Sequence, residues 1–131
     1  MSISVLVVDD SETVRTIIAK TMRMADVPLK DLYTASNGAE ALEVLRNNWV
    51  DLVLTDLNMP VMTGVQLIEQ MNADDRLKGI PVVVVSTEGS STRIEDLKAK
   101  GVRAYLRKPF TPEKFREVIT ELLGASDERQ S

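Results

Sequence analysis

Cysteine and histidine are both absent from this 131-residue chain. Without cysteine, disulfide bonds, thiolate metal sites and thiol catalysis are excluded. Without histidine as well, a bound metal ion would have to be held by oxygen atoms, which favours Mg²⁺, Ca²⁺ or Mn²⁺. The chemistry open to the chain is therefore that of carboxylate, hydroxyl and amine groups.

The chain also lacks a surplus of positive charge and a long apolar run. Its formal net charge is -4, and phosphate contacts need clustered Lys and Arg, so general nucleic-acid binding is not expected. The first apolar run, residues 3–8, has no basic leader and is too short for a signal peptide or a membrane span. We therefore expect a cytoplasmic protein that binds neither nucleic acid nor membranes.

Two sequence periods alternate along the chain and predict five βα units. Short apolar or β-branched runs predict strands at residues 5–8, 32–35, 52–54, 82–85 and 104–106. Helical spacing of apolar residues follows each run, for example in Val14, Ile17, Ile18, Thr21 and Met22. This alternation predicts an α/β fold, with a doubly wound parallel sheet and helices on both faces. Residues 1–124 are the predicted domain, and residues 125–131 a short polar tail with no output domain.

Polar residues follow four of the five predicted strands. They are Asp9-Asp10 after the first, Asp56 after the third, Ser86-Thr87 after the fourth and Lys108-Pro109 after the fifth. Open parallel sheets bind ligands beyond the carboxyl ends of their strands. If strands 1 and 3 are neighbours, three carboxylates converge, and such a cluster raises a pKa or recruits a cation.

A carboxylate cluster of this kind suits Mg²⁺ and phosphoryl chemistry. Mg²⁺ takes carboxylate and phosphoryl oxygens as ligands. With the metal beside it, Asp56 becomes a nucleophile that can form an acyl phosphate. The metal and Lys108 would then offset charge on the transferring group.

The ordered set of motifs resembles the receiver domain of bacterial response regulators, in particular its single-domain, CheY-like members. The motifs are Asp9-Asp10, Asp56-Leu57-Asn58-Met59-Pro60 with Gly64, Ser86-Thr87, Tyr105 and Lys108-Pro109-Phe110. The resemblance covers residues 1 to about 123. It implies a flavodoxin-like sheet of strand order 2-1-3-4-5 with five helices, an order for which CheY itself is a standard example.

The resemblance also implies a role for each residue of the acidic cluster. Asp56 would accept the phosphoryl group. Asp10, the Asp56 carboxylate and the backbone carbonyl of Asn58 would be direct Mg²⁺ ligands, and Asp9 would act mainly through a bound water. Asn58 and Glu88 occupy the two positions that tune autodephosphorylation, and their identities resemble those of quickly dephosphorylating members.

Further roles come from the same resemblance. Ser86 would hydrogen-bond a phosphoryl oxygen, Lys108 would be the ion-pair partner, and Tyr105 would turn inward after phosphorylation. The Lys108-Pro109 peptide bond would be cis, which proline permits at modest cost.

A monomer with two kinds of protein partner is the expected form of the switch. A sensor histidine kinase, or a small phosphodonor, would supply the phosphoryl group. A downstream protein would bind the surface formed by the fourth helix, strand 5 and the fifth helix, where the candidate contacts are Ile94, Arg103, Tyr105 and Arg107.

Simpler interpretations stand beside these roles. Asp9 or Asp10 could cap the first helix, Asp56 could be an ordinary loop residue, and Tyr105 could pack without switching. The pairs Ser86-Thr87 and Lys108-Pro109 could be plain turn or loop residues. Trp49 has no motif around it and is given no role.

Three rival functions use related chemistry or the same topology. An aspartyl phosphatase would need a second Asp two residues after the nucleophile, where this chain has Asn58. A flavin-binding electron carrier would need a Gly-rich phosphate loop after strand 1, but residues 9–12 are Asp-Asp-Ser-Glu. A degenerate receiver that only binds partners would not need the intact Asp, Ser and Lys set.

Overall fold

The computed structural model describes residues 2–87 and 91–124. Within them, five parallel strands form one sheet in the order 2-1-3-4-5. The strands are β1 (Ile3–Val8), β2 (Leu29–Ala35), β3 (Leu52–Thr55), β4 (Val82–Ser86) and β5 (Ala104–Arg107). The predicted fold class and strand order are confirmed, and each predicted strand lies inside an observed one.

In the same described residues, five α-helices alternate with the strands. They are α1 (Glu12–Met24), α2 (Gly38–Asn47), α3 (Gly64–Asn72), α4 (Ser91–Ala99) and α5 (Pro112–Ile119), and a π-helical turn, Thr120–Gly124, continues α5. The predicted polar tail, residues 125–131, lies outside the described residues. No helix in the described part of the chain is long and apolar enough to cross a membrane.

The sheet separates two apolar cores because alternate strand residues point to opposite faces. In β4, Val82 and Val84 pack in the core beneath α2, α3 and α4, while Val83 and Val85 pack in the core beneath α1 and α5. All four valines are buried. Continuous apolar runs are therefore the pattern this doubly covered sheet needs.

Several helices begin with a polar cap just beyond the carboxyl edge of the sheet. Ser11 caps α1 by accepting the Val14 N–H at 3.2 Å, and Thr63 and Gln66 form a capping box at α3. Thr111 caps α5, which has Pro112 in its first turn. These caps define where each helix begins and therefore where the preceding loop ends. The loops between strand and cap carry the polar residues.

Candidate functional site

Three carboxylates meet at the carboxyl edge of the sheet. Asp9 and Asp10 follow β1 and Asp56 follows β3, and these strands are hydrogen-bonded neighbours. The Asp56 N–H donates to the Val8 carbonyl at 2.9 Å, which continues the ladder into the loop. One carboxylate oxygen from each aspartate lies within 4.8 Å of the others. The convergence predicted from the sequence is present.

Asp9 is the buried member of the cluster, with 2% of its surface exposed. Its Oδ2 accepts a hydrogen bond from Lys108 Nζ at 2.7 Å, and its Oδ1 accepts the Ser11 N–H at 2.9 Å. Both oxygens are therefore engaged within the protein. Because Ser11 is the N-cap of α1, the interpretation of Asp9 or Asp10 as that cap is wrong, and the exposed Asp10 is not used for capping.

Asp56 lies partly buried between a backbone donor and a cation. Its Oδ1 accepts the Leu57 N–H at 2.8 Å, and its Oδ2 lies 3.5 Å from Lys108 Nζ. Burial raises the pKa of the Asp56 carboxyl above its ordinary value, and the Asp9 carboxylate adds to the rise, while the Leu57 N–H and Lys108 oppose it. The surroundings therefore disfavour the charge of Asp56 unless a further cation approaches.

Lys108 reaches this cluster from the other end of the sequence. It lies 99 residues from Asp9, and its backbone N–H donates to the Ser86 carbonyl at 2.9 Å. The Lys108-Pro109 peptide bond is cis, as the resemblance predicts. The ammonium group thus lies between Asp9 and Asp56, with 18% of its side chain exposed.

The other predicted site residues have different surroundings and degrees of burial. Ser86 is buried at the end of β4, and Asn58 is exposed in the loop after Asp56. Tyr105 pairs with Val84 across the β4–β5 ladder and packs, half-buried, against the core beneath α2, α3 and α4. Glu88 lies outside the described residues.

The predicted partner contacts lie along the β5 edge of the sheet and on α4. Arg103 and Arg107 are exposed, and Ile94 in α4 and Tyr105 in β5 are half-buried. β5 pairs only with β4 within the sheet, so its other side is an edge. This edge is separated from the acidic cluster by β4 and by Ser86.

Gly64 holds the loop after Asp56 close to α3. A Cβ atom at Gly64 would lie 2.2 Å from the Asp56 carbonyl oxygen and 2.9 Å from the Leu57 Cα. The Gly64 N–H also donates to the Leu57 carbonyl at 2.9 Å. Only a residue without a side chain permits this approach of backbone to backbone.

Gly64→Ala is therefore expected to destabilise the protein by about 2 kcal/mol or more, because the Asp56–Leu57 backbone would have to move. Gly79→Ala is the matched control. A Cβ atom at Gly79 meets nothing within 4 Å, so its effect should stay within about 0.5 kcal/mol or be slightly stabilising. Urea unfolding of both variants measures this, and equal stabilities would refute the close approach.

Arg15 was not predicted from the sequence as a site residue. Its Nη1 donates to the Asp9 carbonyl at 2.7 Å, which ties α1 to the peptide between the two aspartates. Because the contact is made to a backbone carbonyl, no sequence motif predicts it. Only the position of Arg15 one turn after the Ser11 cap could have suggested that it faces the strand end.

The donor set fits a small, hard divalent cation. The three carboxylates and the Lys108 ammonium carry a formal charge of -3 + 1 = -2. All available donors are oxygens, and Mg²⁺ binds oxygen at about 2.1 Å while keeping several waters. Asp10 is the exposed carboxylate of the three, so the site is open to solvent on its side.

The chain matches a family model and many known proteins over most of its length. The model described as the response regulator receiver domain matches residues 5–120. The chemotaxis protein CheY1 of Helicobacter pylori strain J99 is 39% identical over 123 residues, which cover 93% of this chain and 98% of the relative. The chemotaxis protein CheY of Pseudomonas aeruginosa is 37% identical over 118 residues, covering 90% and 94%.

The fold of this chain is also similar to that of a solved chemotaxis protein. CheY4 of Vibrio cholerae, a chemotaxis protein, superposes with a TM-score of 0.83 at 32% identity and covers 94% of this chain and 100% of its own. The family match, the relatives and the solved structure therefore point to one family. The chain belongs to the response regulator receiver domain family.

Proposed function

We propose that this receiver is a switch that accepts a phosphoryl group on Asp56 in a Mg²⁺-dependent reaction. Family membership supports phosphorylation-dependent signalling in a two-component system. The assignment to Asp56 rests on the position of its carboxylate. This group lies beside the Lys108 ammonium and within 4.8 Å of the Asp9 and Asp10 carboxylates. Intact-mass measurement after incubation with a small phosphodonor tests it.

The residues of the cluster would divide the work of phosphoryl transfer. A carboxylate oxygen of Asp56 forms the new O–P bond as the P–N bond of a kinase phosphohistidine, or the P–O bond of a small phosphodonor, breaks. The Lys108 ammonium, 3.5 Å from Asp56 Oδ2, offsets negative charge on the transferring oxygens. Asp9 holds that ammonium at 2.7 Å and so acts as a positioning residue.

Mg²⁺ would be held by Asp10, Asp56 and the backbone carbonyl of Asn58, with Asp9 acting through a water. When bound, the ion supplies positive charge that stabilises the phosphoryl oxygens. The exposed position of Asp10 supports its assignment as a direct ligand. The two internal hydrogen bonds of Asp9 support its indirect role.

Dephosphorylation would return Asp56 to its starting state when water breaks the O–P bond. Asn58 is exposed beside the site, where it can influence how water approaches the phosphoryl group. We propose a short-lived phosphorylated form on this basis and on the identities of Asn58 and Glu88. A half-life of many hours would contradict it.

The signal would leave through the surface formed by α4, β5 and α5. Ser86 would move towards the phosphoryl group, and Tyr105, half-buried on the same face of the sheet, would move into the space. This biases an equilibrium between two conformations that exist before phosphorylation. A histidine kinase as donor, a cytoplasmic location and a monomeric state are parts of the same proposal, and the chemotaxis relatives make chemotaxis the favoured pathway.

Ile94→Asp should strongly weaken phosphorylation-dependent binding of the downstream partner. A charge placed at a half-buried apolar contact weakens binding by about tenfold or more. The measurement uses a partner that binds the wild type only when it is phosphorylated. This partner is titrated with each phosphorylated variant, and the affinities are compared. Met24→Asp, an exposed apolar position at the end of α1, is the control. Unchanged binding by Ile94→Asp, with normal Asp56 phosphorylation, would remove α4 from the proposed surface.

A further inference from the structure

A second pocket lies at the amino edge of the sheet, opposite the acidic cluster. It occupies about 660 Å³ between the chain entering β3 and the chain entering β4, within the range of known ligand pockets. β3 has four residues, so at about 3.3 Å per residue the sheet separates this pocket from Asp56 by about 13 Å. The proposed phosphorylation reaction uses none of its residues.

The pocket has an apolar floor and an aromatic wall. Leu45, Val50 and Leu77 are buried, and Ile80 and Pro81 are half-buried beside them. Trp49 stands next to this floor with 80% of its surface exposed. Tryptophan is enriched among the residues that contribute most to binding at protein interfaces, so Trp49 beside an apolar pocket is suited to anchor a partner.

The Trp49 side chain is held by one hydrogen bond to Asp51, which is itself bonded to β1. Its Nε1–H donates to Asp51 Oδ1 at 2.8 Å, and Asp51 Oδ2 accepts the Ser4 N–H at 2.8 Å. The Asp51 N–H in turn donates to the Ser4 carbonyl at 2.7 Å. The indole is therefore connected through Asp51 to β1. This reduces the side-chain conformational entropy that is lost when a partner binds.

The charged side chains that line this pocket are two arginines and one aspartate, so the lining is net positive, although the whole chain is acidic. Arg46 is exposed, and across residues 2–87 and 91–124 no acidic group lies within ion-pair distance of it. Arg76 makes one loose ion pair, 3.9 Å from Asp74. Asp51 is the acidic residue of the lining, and its two oxygens already accept Trp49 and Ser4.

We infer that this pocket binds an acidic segment of a partner protein that carries a large apolar side chain. The apolar side chain would lie on the floor against Trp49, and the acidic residues would pair with Arg46 and Arg76. The pocket faces away from Asp56, so binding does not require phosphorylation. Its function is a second docking point that is independent of the α4–β5–α5 surface.

Trp49 itself provides the measurement, since it is the one tryptophan of the chain. A synthetic heptapeptide of Asp and Glu around a central Phe-Leu pair is titrated into the full chain while tryptophan fluorescence is recorded. Two matched peptides replace either the acidic residues by Lys or the Phe-Leu pair by Ser. A saturable change with the first peptide alone is expected.

Two variants block the pocket without touching Asp56. Gly79→Leu fills it, because the position of a Cβ atom at Gly79 is open and its backbone is not left-handed. Arg46→Glu reverses the free charge at the rim. Each is expected to weaken peptide binding by about tenfold, whereas Arg23→Glu, an exposed charge reversal on α1, and Asp56→Asn should leave it unchanged.

Several results would overturn this inference. If the Arg46→Glu variant kept its affinity, or if the Lys peptide bound equally well, the partner would not need acidic residues. Equal binding of a single-stranded oligonucleotide at the same residues would assign the site to anionic polymers. Self-association in sedimentation experiments that Gly79→Leu abolishes would assign it to a second copy of the chain. The phosphorylation proposal would stand in each case.

Discussion

Wild-type protein incubated with acetyl phosphate and Mg²⁺ is expected to gain one phosphoryl group by intact mass, and Asp56→Asn to gain none. The amide keeps the size of the side chain but is not a nucleophile towards phosphorus. The hydrogen bond from Leu57 N–H to Oδ1 survives the change, so the fold should be retained. The loss should therefore be complete and confined to the chemistry.

Two controls separate this outcome from a general effect of charge or folding. Asp75→Asn removes an exposed aspartate whose ion pair with Lys78 lies in solvent, and it should leave the gained mass unchanged. A chelator should abolish the gain in the wild type. No gain by folded wild-type protein with Mg²⁺ would favour a receiver that acts by binding alone.

Lys108→Met is expected to destabilise the protein by about 3 kcal/mol. The substitution keeps most of the length of the side chain. It leaves the Asp9 carboxylate, only 3% exposed, and the Asp56 carboxylate without their cation. The rate of phosphorylation should also fall about 10²-fold or more, because no ammonium then lies beside the transferring group. Urea unfolding and timed intact-mass measurements read the two effects.

The matched control for Lys108→Met is Lys78→Met. Lys78 makes an ion pair of 3.1 Å with Asp75, but both side chains are mostly exposed, so the loss should stay below about 1 kcal/mol. The double variant Lys108→Met with Asp9→Asn should recover part of the stability, since the more deeply buried of the two carboxylates that pair with Lys108 is then neutral. A Lys108→Met protein as stable as the wild type would contradict the account of this ion pair.

The strands and helices could be predicted closely because their signals are local. Four consecutive valines, residues 82–85, predict a strand covered on both faces, and all four are buried. The carboxylates that follow strands 1 and 3 were predicted to converge, and Asp9, Asp10 and Asp56 do so. The helical stripe of α1 was less informative, because Ile17 belongs to it and is still 56% exposed.

The chain's own sequence determined the fold class, the positions of the strand ends and the residue types gathered there, since hydrophobic period and turn chemistry act over a few residues. Only the tertiary structure decided how the three carboxylates differ in burial and in their partners. Packing buries Asp9 against a lysine 99 residues away, leaves Asp10 exposed and makes Gly64 obligatory beneath Asp56. It also forms the Trp49 pocket from the end of α2 and the two loops that lead into β3 and β4. Such differences depend on distances between groups far apart in the chain, which a local pattern does not contain.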